Sequence, residues 1–308
     1  MVAKQVSVMT GNHVVESKPA ALLNQWLLKR ISPENSAWLV QQTEKIKKSN
    51  SNRDLHITLG LIPRKISRTD LRLSDDEHAE AERCCAGWNP SAWSVDTTAR
   101  VAVLCTVAEH CSERFSDLLP DLFRNADLAE SVAYYCGICL YPRSDALDWQ
   151  IGEGLRSNIR SVFETIAHNN PYPALHFDQN RWNHMVLKAL FIDSSLAPVF
   201  GLDQRVNREL ALILTDYAHE RWAAGRTVSP ELWRCVGAFA TGDMIEDLKR
   251  VISSDNVAEQ QAGALALFQS PDEAARSLLN SYPDFAESVT SGALTWDTLE
   301  LSGSHCAA

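Results

Sequence analysis

The chain has 308 residues, 45% of them apolar and 22% charged, the proportions of a soluble globular protein of one large or two small domains. Its 39 Asp and Glu outnumber 29 Lys and Arg, and the sequence pI is near 5.4. That balance excludes a general nucleic-acid binder, which needs a basic face to displace counterions from phosphate.

The first twenty residues, Met1 to Ala20, hold Lys4, Glu16 and Lys18 and no apolar core, so no signal peptide is read there. No run approaches the length needed to cross a bilayer, and the eight cysteines lack a disulfide-framework spacing. The expected setting is a reducing cytoplasm, with Cys84, Cys85, Cys105, Cys111, Cys136, Cys139, Cys235 and Cys306 as buried thiols. Residues 1–70 carry eleven Lys or Arg against five Asp or Glu, so the remainder carries a net charge of −16. Such a local positive field suits an anionic ligand or peripheral contact with an anionic membrane surface, or simply solvates helix ends.

In chain order, apolar positions 22, 23, 26, 27 and 31 mark a first helix over Ala20–Ile31, and Pro33 opens a second to about Lys48. Residues 49–68 are expected to be extended or looped, broken by Gly60 and Pro63. Asp70 is expected to start a polar helix that Gly87-Trp88-Asn89-Pro90 breaks, and Ser94 or Asp96 opens a long helix to about Cys111. Helices follow at about 116–125, 127–139, 145–168, 179–192, 207–224, 229–239, 242–253, 256–268, 272–281 and 284–291. Period-2 alternation is scarce. The expected class is all-α, as an irregular helical bundle or a solenoid-like, HEAT-like stack of helix pairs. One domain is read over 1–308, with N-terminal helices in 1–50 and short helix pairs and an acidic tail in 241–308.

The richest segment runs from Asn170 to His184. Its prolines delay a helix until Asp178, a good N-cap, after which Trp182, Met185, Val186, Ala189 and Leu190 share one face. Asn180, Arg181, Asn183, His184 and Lys188 lie on the flank. Arg181, His184 and Lys188, at i, i+3 and i+7, would hold a carboxylate or phosphate; the alternative is an interhelical hydrogen-bond network.

In Asp216-Tyr217-Ala218-His219-Glu220-Arg221-Trp222, Asp216 and His219 have the i, i+3 spacing of helical metal ligands. No second such pair answers them beyond Asp75-Asp76-Glu77-His78. The stronger reading is ion pairing of Asp216 or Glu220 with Arg221, Arg226 or Arg208, with His219 as a hydrogen-bond donor. Cys136-Gly137-Ile138-Cys139 lies in a buried helix and reads as packing. Leu59 to Arg68 joins a flexible backbone to the cations Arg64, Lys65 and Arg68, a candidate phosphate cradle that matches no P-loop. Gly152-Glu153-Gly154 is no dinucleotide fingerprint. Trp26, Trp38, Trp149, Trp182, Trp222 and Trp233 sit in helical segments and read as anchors of the helix pack, the alternative being an aromatic-lined cavity. No metal and no cofactor is called for, and no hydrolase or zinc motif is present, so catalysis is left open. A helical isoprenoid-diphosphate enzyme would need a better Asp-rich motif than Asp75-Asp76-Glu77.

Several segments together carry a family likeness. Leu59 to Arg64, Gly87-Trp88-Asn89-Pro90 with Trp93, Arg181 to Phe191, Tyr217 to Arg226 and Ser229 to Gly237 resemble the EboA family. The likeness spans about 53–240 and is strongest over 180–237; the first fifty residues and the tail after about 250 offer little to compare. The resemblance implies an accessory protein of a secondary-metabolite gene cluster. Such a cluster also encodes a UbiA-type prenyltransferase, metal-dependent hydrolases, an isomerase-like protein and a dehydroquinate-synthase-like enzyme. The family is linked to export of a precursor of the pigment scytonemin toward the periplasm. It brings no assigned catalytic residues. The protein is thus expected to bind a small metabolite or a partner enzyme through Arg181, Asn183, His184, Lys188, His219, Glu220 and Arg226. The alternatives are an enzyme with a helical pocket and a pure scaffold.

Overall fold

In a computed structural model, which describes residues 18–49 and 51–299, the chain is all-α. Cys306 and the first seventeen residues, on which part of the leader reading falls, lie outside the described residues. No helix among the described residues is long and apolar enough to cross a membrane. Within what the sequence reads as one domain, the described residues pack into two compact units that divide between Leu147 and Asp148.

The first unit contains α1 (Pro19–Leu28), α2 (Pro33–Ser49), α3 (Asn52–Lys65), α4 (Asp75–Cys84), α5 (Val95–His110), α6 (Ser112–Asn125) and α7 (Leu128–Cys136). Helix α5 is buried almost all round from Val95 to Ala108, and α1, α2, α3, α6 and α7 pack against it. A stacked repeat touches only its neighbours; this unit is a bundle around a central helix. Trp26 stacks on Trp88 at 5.7 Å, and Trp88 meets Trp93 at 5.4 Å, closing the α1 side of that core. The turn at Gly87-Trp88-Asn89-Pro90 delivers both tryptophans, and Gly87 takes the left-handed φ of 81° that the turn requires.

Two expectations for this unit are corrected. Residues 52–65 are helical, because Leu55, Thr58, Leu59 and Ile62 form a buried 3.6-period stripe. Ser51 caps the start by accepting from the Asp54 N–H at 3.2 Å, and Arg64 and Lys65 complement the C-terminal dipole. Pro63 sits in the last turn, where it ends the helix rather than preventing it. The next helix begins at Asp75, not Asp70: Ser74 and Glu77 form a capping box, while Asp70 pairs with Ser94 in an isolated bridge.

The second unit takes over within α8 (Asp145–Arg156) and continues through α9 (Arg160–Ala167), α10 (Tyr172–His176), α11 (Gln179–Phe191), α12 (Leu202–Arg205) and α13 (Arg208–Ala223). It ends with α14 (Leu232–Val236), a 3-10 turn at Gly237–Phe239, α15 (Asp243–Ile252), α16 (Val257–Gln269), α17 (Glu273–Asn280) and α18 (Pro283–Thr290). The single helix expected over 145–168 is two, broken at 157–159. Helix α16 collects α14, α15, α17 and α18 around its small residues. Gly263 and Gly237 permit this: an added Cβ would stand 2.8 Å from Ile252 N and from Ala266 Cα, respectively.

Candidate functional site

Helices α8, α9 and α11 enclose a groove of about 700 Å³ in the second unit. Asp178 caps α11 by accepting from the Arg181 N–H at 2.7 Å, which sets the register of the helix. Trp182, Val186 and Ala189 then turn into the core, and Arg181, His184, Met185 and Lys188 line the groove. Helix α8 supplies Asp148, Trp149, Gly152, Leu155 and Arg156, and α9 supplies Phe163. The predicted trio of Arg181, His184 and Lys188 therefore shares one cavity.

Arg181 stacks over the Phe177 ring at 4.1 Å and donates from Nη2 to the Asp148 carbonyl at 3.0 Å. Burial lowers its pKa from the ordinary arginine range, opposed by Asp148 and aided by the like charge of Arg156. Lys188 donates to the carbonyls of Leu155 and, at 2.8 Å, Ser157, and its ammonium lies 5.5 Å from the Phe163 ring centre. It satisfies the Leu155 carbonyl in the last turn of α8 and the Ser157 carbonyl just beyond it. Loss of hydration lowers the Lys188 pKa. Tyr172 donates its hydroxyl to Asp148 Oδ1 at 2.5 Å, holding that carboxylate at the groove edge. Trp149 is 57% exposed, a large ring standing at the mouth. The cations and the exposed indole, backed by the buried Phe163 and Met185 side chains, together make a surface for a small molecule with a polar end and an apolar body.

The other predicted residues lie elsewhere. Asn183 faces the interior rather than a flank: its amide exchanges hydrogen bonds with that of Asn207, the N-cap of α13, at 2.9 and 3.3 Å. It ties α11 to α13. His219 Nε2 lies 2.8 Å from Asp247 Oδ1 on α15, and its ring is 5.8 Å from Trp222. Trp222 stacks on Trp233 at 5.7 Å and carries the Arg250 guanidinium 4.2 Å above it. Arg226 lines a separate cavity of about 490 Å³ beside Trp222 and Arg250. The expected pairing of Asp216 or Glu220 with arginines is corrected: among the described residues neither forms an ion pair, both face solvent, and Arg221 donates to the Thr227 carbonyl at 2.9 Å.

Arg64 and Lys65 close α3, so the flexible cradle expected around them is replaced by a regular helix end; Arg68 follows, 4.0 Å from Asp96 Oδ2. Glu77 is 3% exposed and accepts from Lys29 and Arg30, which holds its carboxyl down at about 2. Among the described residues no three His, Cys, Asp or Glu groups gather where a metal ion would fit. Of the described cysteines, Cys105 and Cys235 are buried as expected, whereas Cys84, Cys85, Cys111, Cys136 and Cys139 are half-buried; desolvation pushes Cys136 and Cys235 up to about 12. The anchoring tryptophans include Trp26, Trp182 and Trp233, all fully buried, but Trp149 is not one of them.

The spacing of Arg181, His184 and Lys188 marks the α11 wall of the groove in the sequence, and nothing comparable marks the α8 wall. Arg156, Gly152 and Trp149 lie about 30 residues before Arg181 and His184 in the chain. A helix-interior Gly four residues before an Arg was the available signal, because glycine there is otherwise unfavourable.

A family model described as "Metabolite traffic protein EboA" matches residues 19–237. The match reaches well into the first fifty residues, where the sequence alone suggested little to compare. No curated protein and no solved structure matches the chain.

Proposed function

We propose that this chain, which belongs to the EboA family, is a cytoplasmic accessory protein of secondary-metabolite production. In this reading it binds a small metabolite in the α8–α9–α11 groove and holds it for hand-over. The observation that carries the reading is the groove itself. It has the size of a small-molecule site and joins the charged flank of α11 to the exposed indole of Trp149. The family description, which speaks of metabolite traffic, agrees with it. Pathway enzymes that would deliver or take the ligand include a UbiA-type prenyltransferase and a metal-dependent hydrolase, and peripheral contact with a membrane would bring the protein to the former.

The test is native mass spectrometry of the full chain after incubation with the small-molecule fraction of producing cells. His184→Trp, which places an indole inside the groove, serves as the comparison. The expected result is a bound small molecule on the wild type that is lost from the variant and released with unchanged mass. A ligand released with a changed mass assigns catalysis instead, and identical adducts on both proteins refute the groove.

A further inference from the structure

Gly152 stands in the interior of α8, where a side chain would favour the helix. What occupies the space beside it is charge. A Cβ at this position would lie 3.5 and 3.6 Å from the Nη1 and Nη2 atoms of Arg156 and 3.7 Å from Nη2 of Arg181. Two guanidinium groups, one from α8 and one from α11, thus lie beside the same methyl-sized spot. Arg156 is exposed and bonds Glu153 of its own helix, while Arg181 is drawn inward by the Asp148 carbonyl and the Phe177 ring.

The geometry points to a two-guanidinium clamp over Gly152 that takes the single carboxylate or phosphate of a planar, apolar small molecule. This rests on reading the groove as the metabolite site. Guanidinium forks present paired N–H donors matched to the spacing of carboxylate and phosphate oxygens. An oxyanion between them takes the place of Glu153 on Arg156 and gives a counter-charge to Arg181, which burial has partly desolvated. Lys188, whose ammonium already serves the carbonyls of Leu155 and Ser157, adds to the positive field without being the primary contact. The apolar body follows from the rest of the lining: the exposed indole of Trp149, backed by Phe163 and Met185, which are themselves buried. A flat ring system lies against an indole at little cost in conformational freedom.

Isothermal titration calorimetry of the full chain with 2-naphthoate, 2-naphthyl phosphate and the neutral 2-naphthylmethanol tests the clamp. At least one anion is expected to bind about tenfold or more tighter than the alcohol; which anion does so separates carboxylate from phosphate. Arg156→Gln, at an exposed position, is expected to remove that preference. Gly152→Glu grafts a carboxylate into the clamp and is expected to abolish anion binding while raising the melting temperature. Gly152→Ala controls for shape: its methyl makes ordinary contacts with the guanidiniums and is expected to keep binding within about twofold.

Equal affinity for the alcohol and the anions, or wild-type affinity in Gly152→Glu, overturns the clamp and leaves the groove reading standing. So does failure of all three probes while the cell extract still yields a groove-dependent ligand. If neither the probes nor the extract gives binding, the groove reading falls with the clamp.

Discussion

Replacing Glu77 by Gln removes the charge at the centre of the best-defined ion-pair cluster in the first unit. The carboxylate, almost wholly buried, accepts from Lys29 Nζ at 2.9 Å, from Arg30 Nη1 at 3.0 Å and Nη2 at 2.5 Å, and from the Ser74 N–H at 3.0 Å. Breaking a buried pair by deleting one partner costs about 3–5 kcal/mol. Here the cost is smaller, because Arg30 retains the carbonyls of Trp26, Leu71 and Arg72 and Lys29 is largely in water. About 2 kcal/mol is expected, with a fall in melting temperature of roughly 4–8 °C for a unit of this size.

The pH dependence carries the mechanism. Glu77 titrates at about 2 in the folded protein against 4.5 for an ordinary Glu, chiefly through its bonds to Arg30. A depressed folded value means that the stabilisation is whole above about pH 4.5 and is lost as pH falls through about 2. Urea unfolding of wild type and Glu77→Gln at pH 7, 4 and 2 should therefore show a gap that is full at pH 7 and nearly closed at pH 2. A gap below about 0.5 kcal/mol at pH 7, or one unchanged at pH 2, refutes this account of the cluster.

Lys188→Met removes two charge-assisted bonds to the end of α8 and should cost about 1–2 kcal/mol in urea melts while freeing backbone amides near 157–159 to exchange. Gly237→Ala forces a methyl within 2.8 Å of the Ala266 backbone on α16 and should cost about 1–3 kcal/mol, read as a lower denaturation midpoint. Trp149→Ala should leave stability within about 0.5 kcal/mol of wild type, because that ring is mostly in water, yet reduce the solvent-exposed part of the tryptophan emission.

The helical class was legible because apolar stripes of period 3.6 recur from Leu22 to Val289, and Asp178 marks the start of α11 directly, whereas Ser74, the cap of α4, was passed over in favour of Asp70. Helix α3 was hidden by weighing Gly60 and Pro63 above the Leu55-Thr58-Leu59-Ile62 stripe, although a proline two residues from a helix end breaks little. The break between α8 and α9 was not legible, since the ammonium that satisfies the free carbonyls comes from Lys188, some thirty residues on. Likewise Asn183 looked like a flank residue because its partner, Asn207, belongs to another helix. Periodicity places a residue on a face of its own helix; it does not say which neighbour covers that face. The α11 wall of the groove was therefore readable as spacing, and the α8 wall was not.

Hydrogen exchange followed by mass spectrometry, with and without saturating 2-naphthyl phosphate or 2-naphthoate, tests the location of the site most directly. New protection is expected only in peptides covering 148–163 and 178–188. Protection over 222–259, where Arg226 and Arg250 flank Trp222, or no protection in α8 and α11 on binding, would contradict it.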